Sequence, residues 1–120
     1  MSKKTIVIGA SVNPERYAYK ATIALQKHGH EVIPVGLKSG KINGIDILTG
    51  KPQIKDVDTV TLYVGSKNQS DLYDYVIDLK PKRVVFNPGA ENPAFEKLLQ
   101  ENNIEPLEAC TLVMLSIGNY

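Results

Sequence analysis

Thr5-Ile6-Val7-Ile8 is a continuous β-branched run that stops at Gly9. A run without polar alternation belongs in the middle of a parallel sheet, where both faces of the strand are covered. Covering both faces obliges the chain to return through helices, so this stretch alone points to an alternating α/β chain. Asn13-Pro14 follows. Asparagine can accept a first-turn N–H, and proline suits the first helical position, so a helix capped by Asn13 is expected. Tyr17, Ala21, Ala24, Leu25 and His28 recur at helical spacing, with Tyr17 expected in the core and Gly29 as the stop.

The same alternation continues. Glu31–Val35 reads as a second strand, in which Pro34 is awkward because it cannot donate to a ladder. Gly36–Lys41 reads as a loop, and Ile42-Asn43-Gly44-Ile45 as a small hairpin around an Asn-Gly turn. Thr59–Val64 is a third strand. Leu72, Tyr75, Val76 and Leu79 mark a helix closed by Pro81. Arg83–Phe86 is a fourth strand, and Asn92-Pro93 repeats the cap-then-proline start before Phe95, Leu98 and Leu99. Ile104–Ala109 is expected as a fifth strand and Thr111–Ile117 as a terminal helix. The expected fold is α/β: a Rossmann-like, doubly wound, mostly parallel five-stranded sheet with helices on both faces.

Composition narrows the setting. A chain of 120 residues, 42% hydrophobic and 22% charged, fits one domain spanning 1–120. A net charge of +1 gives no broad basic surface for nucleic acid. No apolar run approaches the roughly 20 residues that a membrane helix needs. Met1-Ser2-Lys3-Lys4 is basic, but the strand after it reaches Gly9 too soon to be the apolar segment of a signal peptide. A single cysteine excludes an internal disulfide framework. The cytoplasm is the expected compartment.

In sheets of this kind ligands bind beyond the carboxyl ends of the strands, where the strand order reverses. The loops expected there are Gly9–Arg16, Gly36–Lys41, Gly65–Gln69 and Asn87–Asn92. The first is a strand–turn–helix, which aims backbone N–H groups and the positive end of a helix dipole at one point and so suits a phosphate. Only Gly9 of a full G-x-G-x-x-G is present. Val35-Gly36-Leu37-Lys38 carries no carboxylate for the ribose hydroxyls of NAD. A cation there suits a cofactor with an extra ribose phosphate, either NADP or coenzyme A. Arg16, Lys38 and Lys41 are the candidates to meet it, the alternative being that the lysines are solvated loop charges.

The chain resembles the coenzyme A-binding domain proteins, small stand-alone Rossmann-like domains similar to the N-terminal domain of the succinyl-CoA synthetase alpha subunit. Val7-Ile8-Gly9-Ala10-Ser11 with Pro14-Glu15-Arg16 looks like the family's V-G-A-S-x-x-P-x-R. Gly29–Val35 looks like its G-x-x-V-x-P-V. Tyr63-Val64-Gly65 resembles the Y-V-P of the synthetase domain. Asn87-Pro88-Gly89 stands where the family has a polar residue and a glycine, and Cys110 where many stand-alone members have a cysteine. Many members have Asn-Pro where this chain has Gly36-Leu37. The resemblance implies coenzyme A, or an acyl form, held through its phosphates at Gly9, Ala10, Ser11, Asn13, Pro14 and Arg16. It implies further contacts at Val35, Lys38, Val64, Gly65, Pro88 and Gly89.

No catalytic constellation is legible, and no metal site is expected. Cys110 could face the cleft and form a mixed disulfide or act as a nucleophile, but no motif supplies an activating base; a buried inert cysteine is the alternative. His28 and His30 suit a helix C-terminus, away from the ligand end. Asp56 and Asp58 read as loop charges, and Lys67 as a phosphate contact or a solvated lysine. The resulting expectation is a small, non-catalytic coenzyme A-binding protein. An NADP-dependent oxidoreductase or redox sensor remains open, as does a protein-interaction domain that has lost its ligand. Leu112, Val113, Leu115 and Ile117 suit core packing, or else a homodimer or partner protein.

Overall fold

The computed structural model describes residues 2–120. Strand β1 (Thr5–Ala10) is central, with β2 (Val32–Gly36) on one side and β5 (Thr59–Leu62), β6 (Arg83–Phe86) and β7 (Glu105–Glu108) following on the other. All four neighbouring pairs are parallel, and their order is β2-β1-β5-β6-β7. Thr5 stands level with both Val32 and Thr59. The Rossmann-like arrangement read from the sequence is therefore present. The chain leaves β1 in one direction for β2 and later returns to its other side at β5, so the strand order reverses between β1 and β5.

Alternate side chains of the strands feed two cores, as the two-residue strand period requires. Val7, Val32 and Val85 face α1 (Tyr17–Lys27) and α4 (Thr111–Ser116), packing with Ala18, Leu25, Met114 and Leu115. Ile6, Ile8, Val60, Leu62, Val84 and Phe86 face α2 (Tyr73–Leu79) and α3 (Pro93–Glu101), packing with Val76, Phe95 and Leu99. Phe86 and Phe95, both fully buried, meet edge to face with centroids 5.7 Å apart. Such a pair adds roughly 0.5–1.5 kcal/mol to what burial alone contributes.

The small hairpin also forms, as β3 (Gly40–Ile42) and β4 (Ile45–Ile47). Its two-residue turn needs positive φ at both positions, and Asn43 (48°) and Gly44 (83°) supply it. The hairpin buries Ile42 and Ile47 against Ala10, Tyr19 and Ile23. Beyond it, Leu48 lies beside β2: its N–H donates to the Pro34 carbonyl and its carbonyl accepts from Gly36, both at 2.9 Å. Pro34 is tolerated because β2 is the edge of the parallel set, where its missing N–H breaks no ladder.

Three local expectations are corrected. Asn13 does not cap α1. Its Oδ1 accepts the Glu15 N–H at 3.0 Å in a local turn, so the helix begins later, with Arg16 at the cap position and Pro14 outside it. Tyr17 is not core: at the first helical position it is 67% exposed with Lys20 over its ring, while Tyr19 packs inward. The Gly36–Lys41 loop is shorter than expected, since Gly36 belongs to β2 and Gly40-Lys41 to β3. The Asn92-Pro93 expectation holds: Asn92 caps α3 by accepting the Phe95 N–H at 3.2 Å, with Pro93 at its first position.

Candidate functional site

At the carboxyl ends of β1 and β5, where the strand order reverses, the loop from Gly9 to Arg16 meets the turn from Tyr63 to Gly65. Gly9 has φ +99°, where any side chain is strained, and a Cβ there would stand 3.0 Å from the Tyr63 carbonyl oxygen. It is glycine for both reasons, and its absence of a side chain lets the backbones of β1 and β5 converge. On the other side of the loop, a Cβ on Gly36 would run into the Ala10 carbonyl oxygen. This close approach accounts for glycine at position 36.

The loop satisfies itself before it reaches the helix. Ser11 Oγ accepts the Asn13 N–H at 3.1 Å, Asn13 Oδ1 accepts the Glu15 N–H, and the Asn13 carbonyl accepts the Arg16 N–H at 3.1 Å. Those bonds fix Asn13 and Pro14 as an exposed ridge, with Ser11 half-buried before it. The start of α1 is different. No side chain caps it, and no acidic residue lies in its first turn. An uncapped helix start of this kind carries unsatisfied N–H donors and a partial positive charge. The Arg16 side chain is exposed there and has no ion-pair partner among the described residues. A phosphate group fits this donor set.

The other expected contacts are spread around the same end of the sheet. Val35 is 5% exposed and packs into the α2–α3 core, so its side chain is not at the surface. Lys38 is exposed in the short loop 37–39, beside the fully exposed Leu37. Lys41 lies on the hairpin and pairs with Asp46 at 3.2 Å, which turns it to a neighbouring carboxylate. Val64 is half-buried and Gly65 is exposed. Pro88 and Gly89 are exposed, but the Gly89 N–H already donates to Glu91 Oε1 at 2.9 Å. Lys67 is exposed on the turn after β5.

Below these loops lies a buried polar layer that sequence reasoning did not find. Asn87 is 1% exposed. It donates to Thr61 Oγ1 (2.6 Å) and the Leu62 carbonyl (2.9 Å), and accepts the Thr111 N–H (2.9 Å). The side chain thus ties β6 to β5 and to the start of α4. The Tyr63 hydroxyl is buried with no hydrogen-bond partner. Thr61 and Thr111, whose hydroxyls bond each other at 2.8 Å, lie close to it, as does Cys110. Burial pushes the Tyr63 hydroxyl well above the ordinary tyrosine range, and the neighbouring Cys110 adds to the shift. Cys110 itself is a half-buried free thiol at the cap position of α4. The only sequence signal for this layer was Asn87 after a strand.

His28 and His30 sit at the opposite end of the sheet. His30 Nδ1 accepts the Lys3 N–H at 2.9 Å, and its ring lies 5.0 Å from that of Tyr120. Among the described residues no cluster of His, Cys, Asp or Glu is arranged to hold a metal, and no helix is long and apolar enough to cross a membrane.

The sequence pattern of a known family, described as the CoA binding domain, matches residues 3–116. The chain belongs to that family. A solved structure of an uncharacterized protein is similar to this CoA binding domain over 100% of its length and 99% of the other chain, with a TM-score of 0.97 at 52% identity. A hypothetical protein from Pyrococcus horikoshii OT3 is similar over 97% of this chain and 83% of that one, with a TM-score of 0.84 at 26% identity. The dinucleotide forming acetyl-coenzyme A synthetase 1 of Ca. Korarchaeum cryptofilum, in complex with phosphate and ADP, shares the fold. It has a TM-score of 0.68 at 19% identity, and the match covers 90% of this chain and 26% of that one. No curated protein matches the sequence.

Proposed function

We propose that this protein is a single, non-catalytic domain that binds coenzyme A or an acyl-CoA, with the phosphates held between the Gly9–Ser11 turn and the start of α1. One observation carries the reading: in a CoA binding domain, the uncapped first turn of α1 and the unpaired Arg16 stand together beside the β1–β5 switch point. The backbone donors of α1 accept the negative charge, and the Arg16 guanidinium offers two parallel N–H bonds to a phosphate. Lys38, in the loop after β2, meets the ribose 3′-phosphate. The adenosine lies near the ends of β2 and β5, against Val64 and Gly65. Pro88 and Gly89 bound the far side. The protein acts as a carrier or sensor in the cytoplasm.

The same cation after β2 would serve the 2′-phosphate of NADP. Thermal unfolding with coenzyme A, acetyl-CoA, dephospho-coenzyme A, NADP and NAD, each at millimolar concentration, separates the two. A ligand that binds only the folded protein raises the midpoint by mass action. The expected result is a rise with coenzyme A and acetyl-CoA, a smaller rise with dephospho-coenzyme A, and none with NAD. A rise with NADP alone would replace this reading with an NADP-dependent one. No rise with any of the five would leave an interaction domain without a nucleotide.

A further inference from the structure

Gln69 is completely buried although it lies in a polar loop. Its Nε2 donates to the Val64 carbonyl at 2.8 Å and to the Ala90 carbonyl at 2.7 Å, and its Oε1 accepts from the Asn92 side chain at 3.0 Å. Both amide hydrogens are used. Asn92 also caps α3 and donates to the Tyr73 hydroxyl at 2.9 Å. Val64 follows β5, whereas Ala90 and Asn92 follow β6. The parallel ladder between these strands ends at the Leu62–Phe86 pair. Past that point one buried amide joins the two loops.

An apolar side chain would fill the same volume without the desolvation cost of a primary amide, which is recovered only when every polar atom is bonded. What the amide adds is a fixed spacing between two backbone segments at the ligand end of the sheet. We propose that Gln69 is a positioning residue for the ligand site. It holds the Val64–Gly65 turn and the Pro88–Ala90 turn together as one side of the ligand site and, being fully buried, does not touch the ligand. This inference rests on the coenzyme A reading above.

The test is calorimetric titration of coenzyme A into the wild-type protein, Gln69→Met and Gln69→Glu between pH 8 and pH 5.5, with circular dichroism confirming the fold. Methionine has nearly the same shape and no donor. An ionised glutamate turns a carboxylate toward two carbonyl oxygens, whereas the protonated acid regains one O–H donor, and burial favours the protonated form. At pH 8 both variants should bind about tenfold more weakly than wild type, the equivalent of one lost hydrogen bond. As the pH falls, Gln69→Glu should recover toward wild type while Gln69→Met does not. Tyr73, Glu91 and Glu96, the titratable groups bonded to the same loops, are present in every protein and cancel in the ratio to wild type. Folded variants whose affinity ratio stays at one throughout would overturn the inference and leave the coenzyme A reading standing. Failure of both variants to fold would make Gln69 a structural residue and overturn its positioning role. A wild-type protein that binds no coenzyme A would overturn both.

Discussion

Gly9 and Tyr63 occupy each other's space: the α-carbon of Gly9 faces the Tyr63 backbone so closely that a methyl group there would stand 3.0 Å from the carbonyl oxygen and 3.2 Å from the Tyr63 Cβ. Gly9→Ala should therefore suffer twice, from the positive φ and from the contact. The strained backbone alone costs roughly 1–3 kcal/mol, and relief of the contact pushes β1 and β5 apart at their carboxyl ends. Urea unfolding should show the loss of stability, and coenzyme A affinity should fall more than tenfold in the protein that remains folded. An alanine variant with wild-type stability and affinity would show that neither constraint operates.

Arg16 makes no structural ion pair among the described residues, so its removal should leave stability nearly unchanged. Arg16→Ala should weaken coenzyme A binding by roughly 1–3 kcal/mol, the range for a charge-assisted bond. Arg16→Lys should recover only part of this, because a lysine cannot bond a phosphate bidentately. Equal affinity for Arg16→Ala and wild type would remove Arg16 from the site.

The Tyr63 hydroxyl has no partner in its buried position. A buried donor of this kind is a cost, so Tyr63→Phe should leave the protein between unchanged and about 2 kcal/mol more stable. Chemical denaturation measures this directly. A loss of stability of about 1 kcal/mol or more would mean that the hydroxyl is bonded in solution, for instance to an internal water.

At the other end of the sheet, His30 is partly buried against Tyr120 and accepts the Lys3 N–H. Burial lowers its pKa below 6.5, and the positive charges of Lys3, His28 and Arg83 lower it further. The unfolded chain therefore binds a proton before the folded one does. The stability contributed by the neutral ring is complete above about pH 6.5 and is lost as the pH falls from there through the folded-state pKa. Comparing urea midpoints at pH 7.5 and pH 5.0, wild type should lose more stability than His30→Gln. Equal losses in the two proteins would exclude His30 as the source.

The fold was legible because four of the five sheet strands, all but Glu105–Glu108, are rich in β-branched residues and lead into glycine or asparagine, and because short parallel strands joined by amphipathic helices have few arrangements. The helix starts show where that reading stops. Asn13-Pro14 and Asn92-Pro93 look alike, yet only Asn92 caps its helix. Asn13 spends its oxygen on Glu15, a choice set by the path of the loop rather than by the dipeptide. Tyr17 followed the helical period but, at the first position of α1, lies outside the core with the Lys20 ammonium over its ring, 5.3 Å from the centroid. The loops of the candidate site could be named from chain order alone. The roles of Asn87 and Gln69 could not, because their partners are separated by up to 26 positions for Asn87 and 23 for Gln69, and hydrogen bonds leave no periodicity in a sequence.

The most direct test is a titration of coenzyme A into nitrogen-15-labelled protein, followed by amide chemical shifts. The expected result is saturable change concentrated in residues 9–20 and 63–66, with a weaker response at 36–39 and little at 28–31 or 80–83. Shifts confined to the opposite end of the sheet, or none at saturating ligand, would contradict a phosphate site at the start of α1.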